Sequence, residues 1–227
     1  MKDLWSEMLS KEYLGEPEVE ISDLLLTLGI LLGSQPVLMK NIYLAYLKQE
    51  PTFVHKPMVG SALQFIFDYD RRIIEITRLD QTGTLTFQQF QRYIALIDLL
   101  FSKIYPVGSV VELDESLLSE DVRGMFSNSE IGLLVTIHGR RLINEEEKTY
   151  VDYVGTIWPF GILEDVEPLF FNNFLLKRVV SEGMSNEVEE KYAETVLRKQ
   201  LLDQGAQSSF YTKEARVTEG GLVVGEN

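Results

Sequence analysis

The chain contains no cysteine, which removes disulfide cross-links and thiolate metal ligation from consideration. Nothing points to an oxidising compartment, and a cytoplasmic location is expected. Histidine is nearly as scarce, His55 and His138 being the only two. No H-E-x-x-H pair is present, and the segments "VGSA" and "VGSV" are not the G-x-S-x-G elbow of a serine hydrolase. The phosphate loops G-x-x-x-x-G-K-[ST] and G-x-G-x-x-G are missing as well. No hydrophobic run is long: "LLLTLGILL", Leu24 to Leu32, falls well short of the roughly 20 apolar residues of a membrane span. It reads as a buried helix stopped by Gly33. The opening "MKDLWSEMLSKEYLGEPEVEISD" has early acids and no apolar core, so it is not expected to be a secretory signal. Positive charge is in deficit, with 21 Lys and Arg against 35 Asp and Glu for a net charge of −14. That balance argues against a duplex nucleic-acid partner.

What is present is a globular composition. The chain has 227 residues, 45% of them hydrophobic, enough for one large domain or two small ones with a real core. Acidity is uneven: residues 1–103 carry 10 bases and 13 acids, a balance of −3, whereas 104–227 carry 11 bases and 22 acids, a balance of −11. The first stretch predicts a short amphipathic helix with Leu4, Trp5, Met8, Leu9 and Tyr13 at i, i+4 spacing, ended by Gly15 and Pro17. A helix over Ser22 to Leu32 follows, and "SQP" predicts a second one capped by Ser34 with Pro36 in its first turn. "ALQFIFDY" and "RIIEITRL" predict a β-hairpin. "LDQTGTLTFQQF" imitates a calcium loop, but with Gly83 at the sixth position Arg78 and Gln89 fall where carboxylates are needed. A glycine turn into a helix is expected instead, with Phe90, Ile94, Ile97, Phe101 and Ile104 as its apolar stripe.

From Ile104 onward strands predominate. "YPVGSVVELD" predicts a turn and a first strand, Ile131 to Ile143 a second with a bend at Gly139 to Arg141, and "YVDYVGTIWPFG" a third. "NEEEK" is the composition of an exposed hairpin loop. A fourth strand is expected to begin near Leu175, and no crossover helix is evident between these strands, so the pairing is expected to be antiparallel. Asn186 and Glu189 form a capping-box signature for a closing helix. Val188, Tyr192 and Val196 together with Ala193, Leu197 and Leu201 form its expected apolar face, while Glu187/Lys191 and Glu194/Arg198 decorate the other. Residues 205–227 are expected to be a flexible tail. The expected architecture is α+β: a helical and hairpin region over 1–103, packed with a small antiparallel sheet domain over 104–204 closed by that helix.

The candidate chemistry is thin. Asp152, Glu164, Asp165 and Glu167 cluster near the aromatic turn and could serve as paired acids and bases, but in so acidic a chain they read as solvated surface carboxylates. Most rings of the aromatic run are expected in the core. The rings near predicted turns, with neighbouring acids, have the composition of an interface. Tyr153, Trp158, Phe160, Phe170 and Phe171, with Glu112, Asp114 and Glu115, are therefore the candidate partner-binding residues. No catalytic residue, cofactor or metal is expected.

"PVGSVV" (Pro106 to Val111), "DYVGTIWPFG" (Asp152 to Gly161) and "FNNFLLKRVVSEG" (Phe171 to Gly183) occur in that order, followed by an acidic helix. Over about residues 104–195 this pattern resembles a family of domains of unknown function associated with the type VII secretion gene clusters of Gram-positive bacteria. The resemblance implies a neighbourhood of LXG-type toxins and their small helical partners. It implies a non-enzymatic cytoplasmic protein that binds a secreted toxin or its secretion complex: a chaperone or targeting adaptor, or alternatively an immunity protein covering the toxin's active site. It brings no catalytic residue with it. An acidic surface would steer a basic partner while aromatic rings supply affinity.

Overall fold

The structure is a computed structural model that describes residues 2–124, 126, 132–162, 164, 166–213, 215–218 and 220–224. Helix accounts for 39% and strand for 30%, with antiparallel sheets and a helical N-terminal region, so the class is α+β. The chain divides into two units, Met1–Ser102 and Lys103–Asn227. Among the described residues no single helix is long and apolar enough to cross a membrane.

In the first unit, α1 (Lys2–Met8) and α2 (Lys11–Leu14) are separate because the Ser10 hydroxyl caps α2, accepting the Tyr13 N–H at 3.1 Å. α3 (Asp23–Ser34) does not stop at Gly33, and α4 (Pro36–Leu47) follows at a 111° bend, with Gln35 rather than Ser34 at its cap. The α3 glycines serve close approach: a Cβ on Gly29 would overlap the Trp5 indole, and one on Gly33 the Phe101 ring. The Trp5 Nε1–H donates to the Leu26 carbonyl at 3.0 Å and the Tyr93 hydroxyl to the Leu25 carbonyl at 2.6 Å, so both polar rings are buried with a partner.

Strands β1 (Thr52–His55), β2 (Leu63–Asp68), β3 (Ile73–Arg78) and β4 (Gln81–Thr86) form an antiparallel meander in that order. The expected hairpin is β2 and β3. The period-2 pattern buries Leu63, Phe65 and Phe67 and turns Ile66 outward. The segment expected to be a glycine turn is instead strand β4, with Gly83 opposite Ile76. Thr86 and Gln89 then form a reciprocal capping box that starts α5 (Phe87–Phe101). Phe90, Ile94 and Ile97 are buried as the spacing requires, and the helix ends before Ile104.

In the second unit, β5 (Val110–Leu113) leads through a 3₁₀ turn (Glu115–Leu117) and α6 (Glu120–Gly124) to β6 (Leu134–Asn144). Ile131, the expected start of that strand, lies outside the described residues. β6 is continuous through the expected bend, which survives as a register irregularity between Ile137 and Gly139 and a positive φ of 51° at Arg141. β7 (Thr149–Ile157), β8 (Leu169–Phe171), a 3₁₀ turn (Asn173–Leu175) and β9 (Leu176–Ser181) follow. The closing rod is α7 (Glu187–Tyr192), a π-helical segment (Ala193–Arg198) and α8 (Lys199–Asp203).

The sheet order is β10-β7-β6-β5-β9, with β8 also on β7, where β10 is Gln207–Ser208. All pairs are antiparallel except β10 with β7, because the chain between those two contains the helical rod and supplies the crossover that parallel pairing needs. Val111, Leu113, Val135, Ile137, Tyr153 and Phe171 fill the inner face with Leu118 and Phe126.

The expected flexible tail over 205–227 is largely built structure. Its α9 (Ser209–Thr212) buries Tyr211 and stacks Phe210 on Phe174 with ring centroids 4.7 Å apart. β11 (Ala215–Thr218) and β12 (Gly221–Val224) pair as a ribbon. The two aromatics, hidden among Gly, Gln and Ser, hold the segment. Glu214, Glu219 and residues 225–227 lie outside the described residues.

Candidate functional site

Antiparallel register decides which of the expected site residues can meet. Glu112 of β5 is opposite Leu134 of β6, Val135 is opposite Ile157 of β7, and the Trp158 N–H donates to the Leu134 carbonyl at 2.9 Å. The last residues of β5 and β7 and the first of β6 therefore share one end of the sheet. The loop from β7 to β8 leaves and returns at that end, because Leu169 pairs opposite Gly155. Candidates from around 112–115 and from around 158–170 are thus brought together, although some 45 residues separate them in sequence.

The eight candidates then separate by burial. Trp158, Phe160 and Phe170 are exposed, and two residues that the sequence reading did not single out join them, Ile162 and Val166. Trp158, Phe160, Ile162 and Val166 lie in the connection between β7 and β8, and Phe170 lies on β8 where that connection ends. Tyr153 and Phe171 do not belong with them. Both are buried on the inner face, opposite each other in register, with ring centroids 5.5 Å apart. The Tyr153 hydroxyl accepts the Tyr105 N–H at 3.1 Å and donates to the Lys103 carbonyl at 3.3 Å, and burial pushes its phenol up. Tyr153 packs in the core cluster with Ile157 beside it, so it is a core residue and not a partner-binding one, despite the acids next to it in sequence.

The acids separate in the same way. Glu112 is occupied: Lys177 Nζ and Arg178 Nε of β9 donate to its two oxygens at 2.6 and 2.5 Å. Those hydrogen bonds, Lys177 first, hold its carboxyl below the ordinary value. Asp114 caps the 3₁₀ turn, accepting the Ser116 N–H at 3.3 Å and its hydroxyl at 2.7 Å. Glu115 alone of the three is exposed and without such duty. With Glu120, Arg123, Phe126 and Leu133 it lines an open hollow of about 520 Å³ at the same sheet end. Exposed Glu164 and Glu167 flank the aromatic loop.

The carboxylate group considered for acid–base chemistry does not assemble. Asp152 is not a surface carboxylate: it is fully buried, its Oδ1 lies 2.6 Å from Arg141 Nη1, and its Oδ2 accepts the Asn173 N–H at 3.0 Å. Glu164 and Glu167 lie in the exposed loop, and Asp165 is outside the described residues. His138 Nε2 is 2.7 Å from the Thr156 hydroxyl, on β7. No group of three or more His, Asp or Glu side chains placed to hold a metal ion occurs among the described residues. What this part of the sheet offers chemically is exposed aromatic and aliphatic side chains in segments that also carry exposed acids.

No curated protein and no solved structure matches the chain. Residues 127–192, a span that holds β6, β7, the aromatic loop, β8, β9 and α7, match the family model described as Domain of unknown function (DUF4176).

Proposed function

We propose that this chain is a non-enzymatic cytoplasmic binding protein, a chaperone or targeting adaptor that holds a type VII secreted LXG-type toxin on the aromatic end of its second-unit sheet. One observation carries the reading: Trp158, Phe160 and Ile162 are exposed on the connection that leaves β7 and Phe170 on β8 where it returns, while Tyr150, Tyr153 and Phe171 of the same strands are buried. Rigid aromatic side chains at low entropic cost are what interface anchors are made of. The exposed acids Glu115 and Glu120, after β5, and Glu164 and Glu167, after β7, favour a basic client and speed the encounter. The three ordered motifs supply the toxin neighbourhood by resemblance. An immunity protein is the other role that the same resemblance implies.

The deciding experiment has two arms in a host that encodes the chain and its toxin. Deleting the gene is expected to abolish toxin accumulation or export while a toxin-free cell stays healthy. Supplying the protein in trans is expected not to rescue a cell intoxicated by the active toxin domain. Full rescue, with export unaffected by the deletion, would establish the immunity role instead.

A further inference from the structure

The closing rod hides one apolar row and displays another. Residues at a spacing of four form rows along a helix. The row Glu189, Ala193, Leu197 and Leu201 faces the sheet: Ala193 and Leu201 are buried, and Glu189 is ion-paired with Arg140 of β6. The neighbouring row, Val188, Tyr192 and Val196, was expected to share that burial. It is instead exposed, at 77%, 46% and 43%. An α-helix makes a turn in 3.6 residues, so rows of four drift around it. The wider turns of the π segment Ala193–Arg198 take up part of that drift and hold Val196 in line with Tyr192. The result is a straight apolar ridge about 12 Å long.

The outer row beside this ridge reads Glu187, Lys191, Thr195, Lys199, all exposed. None of its three charged members is ion-paired among the described residues. Its charge sums to +1 in a chain of −14, so the row itself does not add to the acidic repulsion between copies. Read backwards, the row complements itself, with an acid at one end and a base at the other.

We propose that this face is the isologous interface of a homodimer, in which the rod packs antiparallel against the rod of a second copy. A twofold axis requires that residue i meet j and j meet i. With the axis at the level of Ala193, the ridge side chains of one copy fall midway between those of the other. Glu187 then stands opposite Lys199 of the second copy, and Lys191 opposite Thr195. Two opposite-charge pairs form by symmetry and no like charges are opposed. A foreign helix could match the ridge, but the outer row gives it no reason to be preferred over the copy that already carries the complementary order. Two turns of contact make a small interface, so the dimer is concentration-dependent, with a dissociation constant on the order of micromolar or weaker.

Sedimentation equilibrium on the full chain tests this, over about 1 to 300 µM to bracket that affinity. The mass is expected to rise from 26.0 kDa toward twice that value with concentration. Tyr192→Asp, at an exposed position, is expected to keep the protein monomeric with unchanged circular dichroism. Glu187→Lys and Lys199→Glu are each expected to weaken association by about tenfold, two exposed pairs being lost at once. The double variant is expected to restore it. A monomer at every concentration, a dimer that survives Tyr192→Asp, or a double variant no better than either single one overturns the proposal.

Discussion

Arg141 Nη1 lies 2.6 Å from Asp152 Oδ1 with both side chains buried, and Asp152 also receives the Asn173 N–H that begins the 3₁₀ turn after β8. Removing one member leaves the other charge in the interior without compensation. Asp152→Ala is therefore expected to cost about 3 to 5 kcal/mol of stability, read by denaturant unfolding. Replacing the pair together, Arg141→Met with Asp152→Leu, is expected to cost much less. A loss below about 1 kcal/mol for Asp152→Ala, the range of an exposed pair, would show the pair to be solvated.

The aromatic run should behave as two classes. Tyr153→Ala and Phe171→Ala, on the inner face, are each expected to destabilise by about 3 to 5 kcal/mol. Phe160→Ala and Phe170→Ala, exposed at the sheet end, are expected to change stability by about 0.5 kcal/mol or less, while weakening client capture by about 2 kcal/mol or more if they anchor it. Paired melts and binding isotherms on the four variants separate the classes. Equal destabilisation by all four would contradict the assignment.

Gly29 tests the first unit. A methyl there collides with the buried Trp5 ring, and the indole cannot retreat without giving up its hydrogen bond to Leu26. Gly29→Ala is expected to cost about 1 to 3 kcal/mol, as overpacking does, although alanine favours helix. Pairing it with Trp5→Leu should recover part of the loss relative to Trp5→Leu alone. Stabilisation by Gly29→Ala in the wild-type background would mean that the contact does not exist.

The buried phenols predict alkaline behaviour. Burial raises Tyr43, Tyr93 and Tyr153 above the ordinary value of 10.0. A group whose folded value is raised contributes its stability in full below its unfolded value and loses it as pH climbs. The stability of the protein should thus be flat in these groups up to about pH 9 and fall beyond pH 10. Phenolate absorbance during titration should show exposed tyrosines ionising first and these three only with unfolding, lost at the same pH as the circular dichroism signal. Early, reversible ionisation of all ten tyrosines would refute the burial.

How much of this was legible in the sequence depended on whether one period dominated. The β2–β3 hairpin and α5 could be read because Leu63, Phe65 and Phe67 keep a clean alternation and Phe90, Ile94 and Ile97 a clean helical spacing. β7 could be read as a strand but not assigned its faces, since Tyr153 and Trp158 lie in a run apolar on both sides. Only the pairing of Tyr153 with Phe171, a long-range fact, decides it. The closing helix was legible as a helix, yet its two apolar rows have the same spacing and only tertiary docking chooses between them. β4 was masked by its Gly and Thr content. The α9 segment was masked by polar neighbours, its order arising from Phe174, 36 residues earlier than Phe210. At the site, proximity in sequence favoured Glu112 and Tyr153, whereas register showed one to be ion-paired and the other to be core.

The division of labour along β5, β6 and β7 has a consequence for how such a protein changes over generations. The inner face is filled mainly by residues of the strands, with Leu118 and Phe126 added from the connection between β5 and β6, while the exposed rings Trp158 and Phe160 belong to the connection that leaves β7. Among the described residues the connection after β7 adds nothing to that cluster, so it can lengthen, shorten or exchange aromatic for polar residues without disturbing Val111, Val135, Ile137 or Tyr153. The exposed aromatic surface can then be altered by replacing one loop on an unchanged scaffold. Sequence drift should concentrate in that connection, while the alternation of the strands is held by purifying selection.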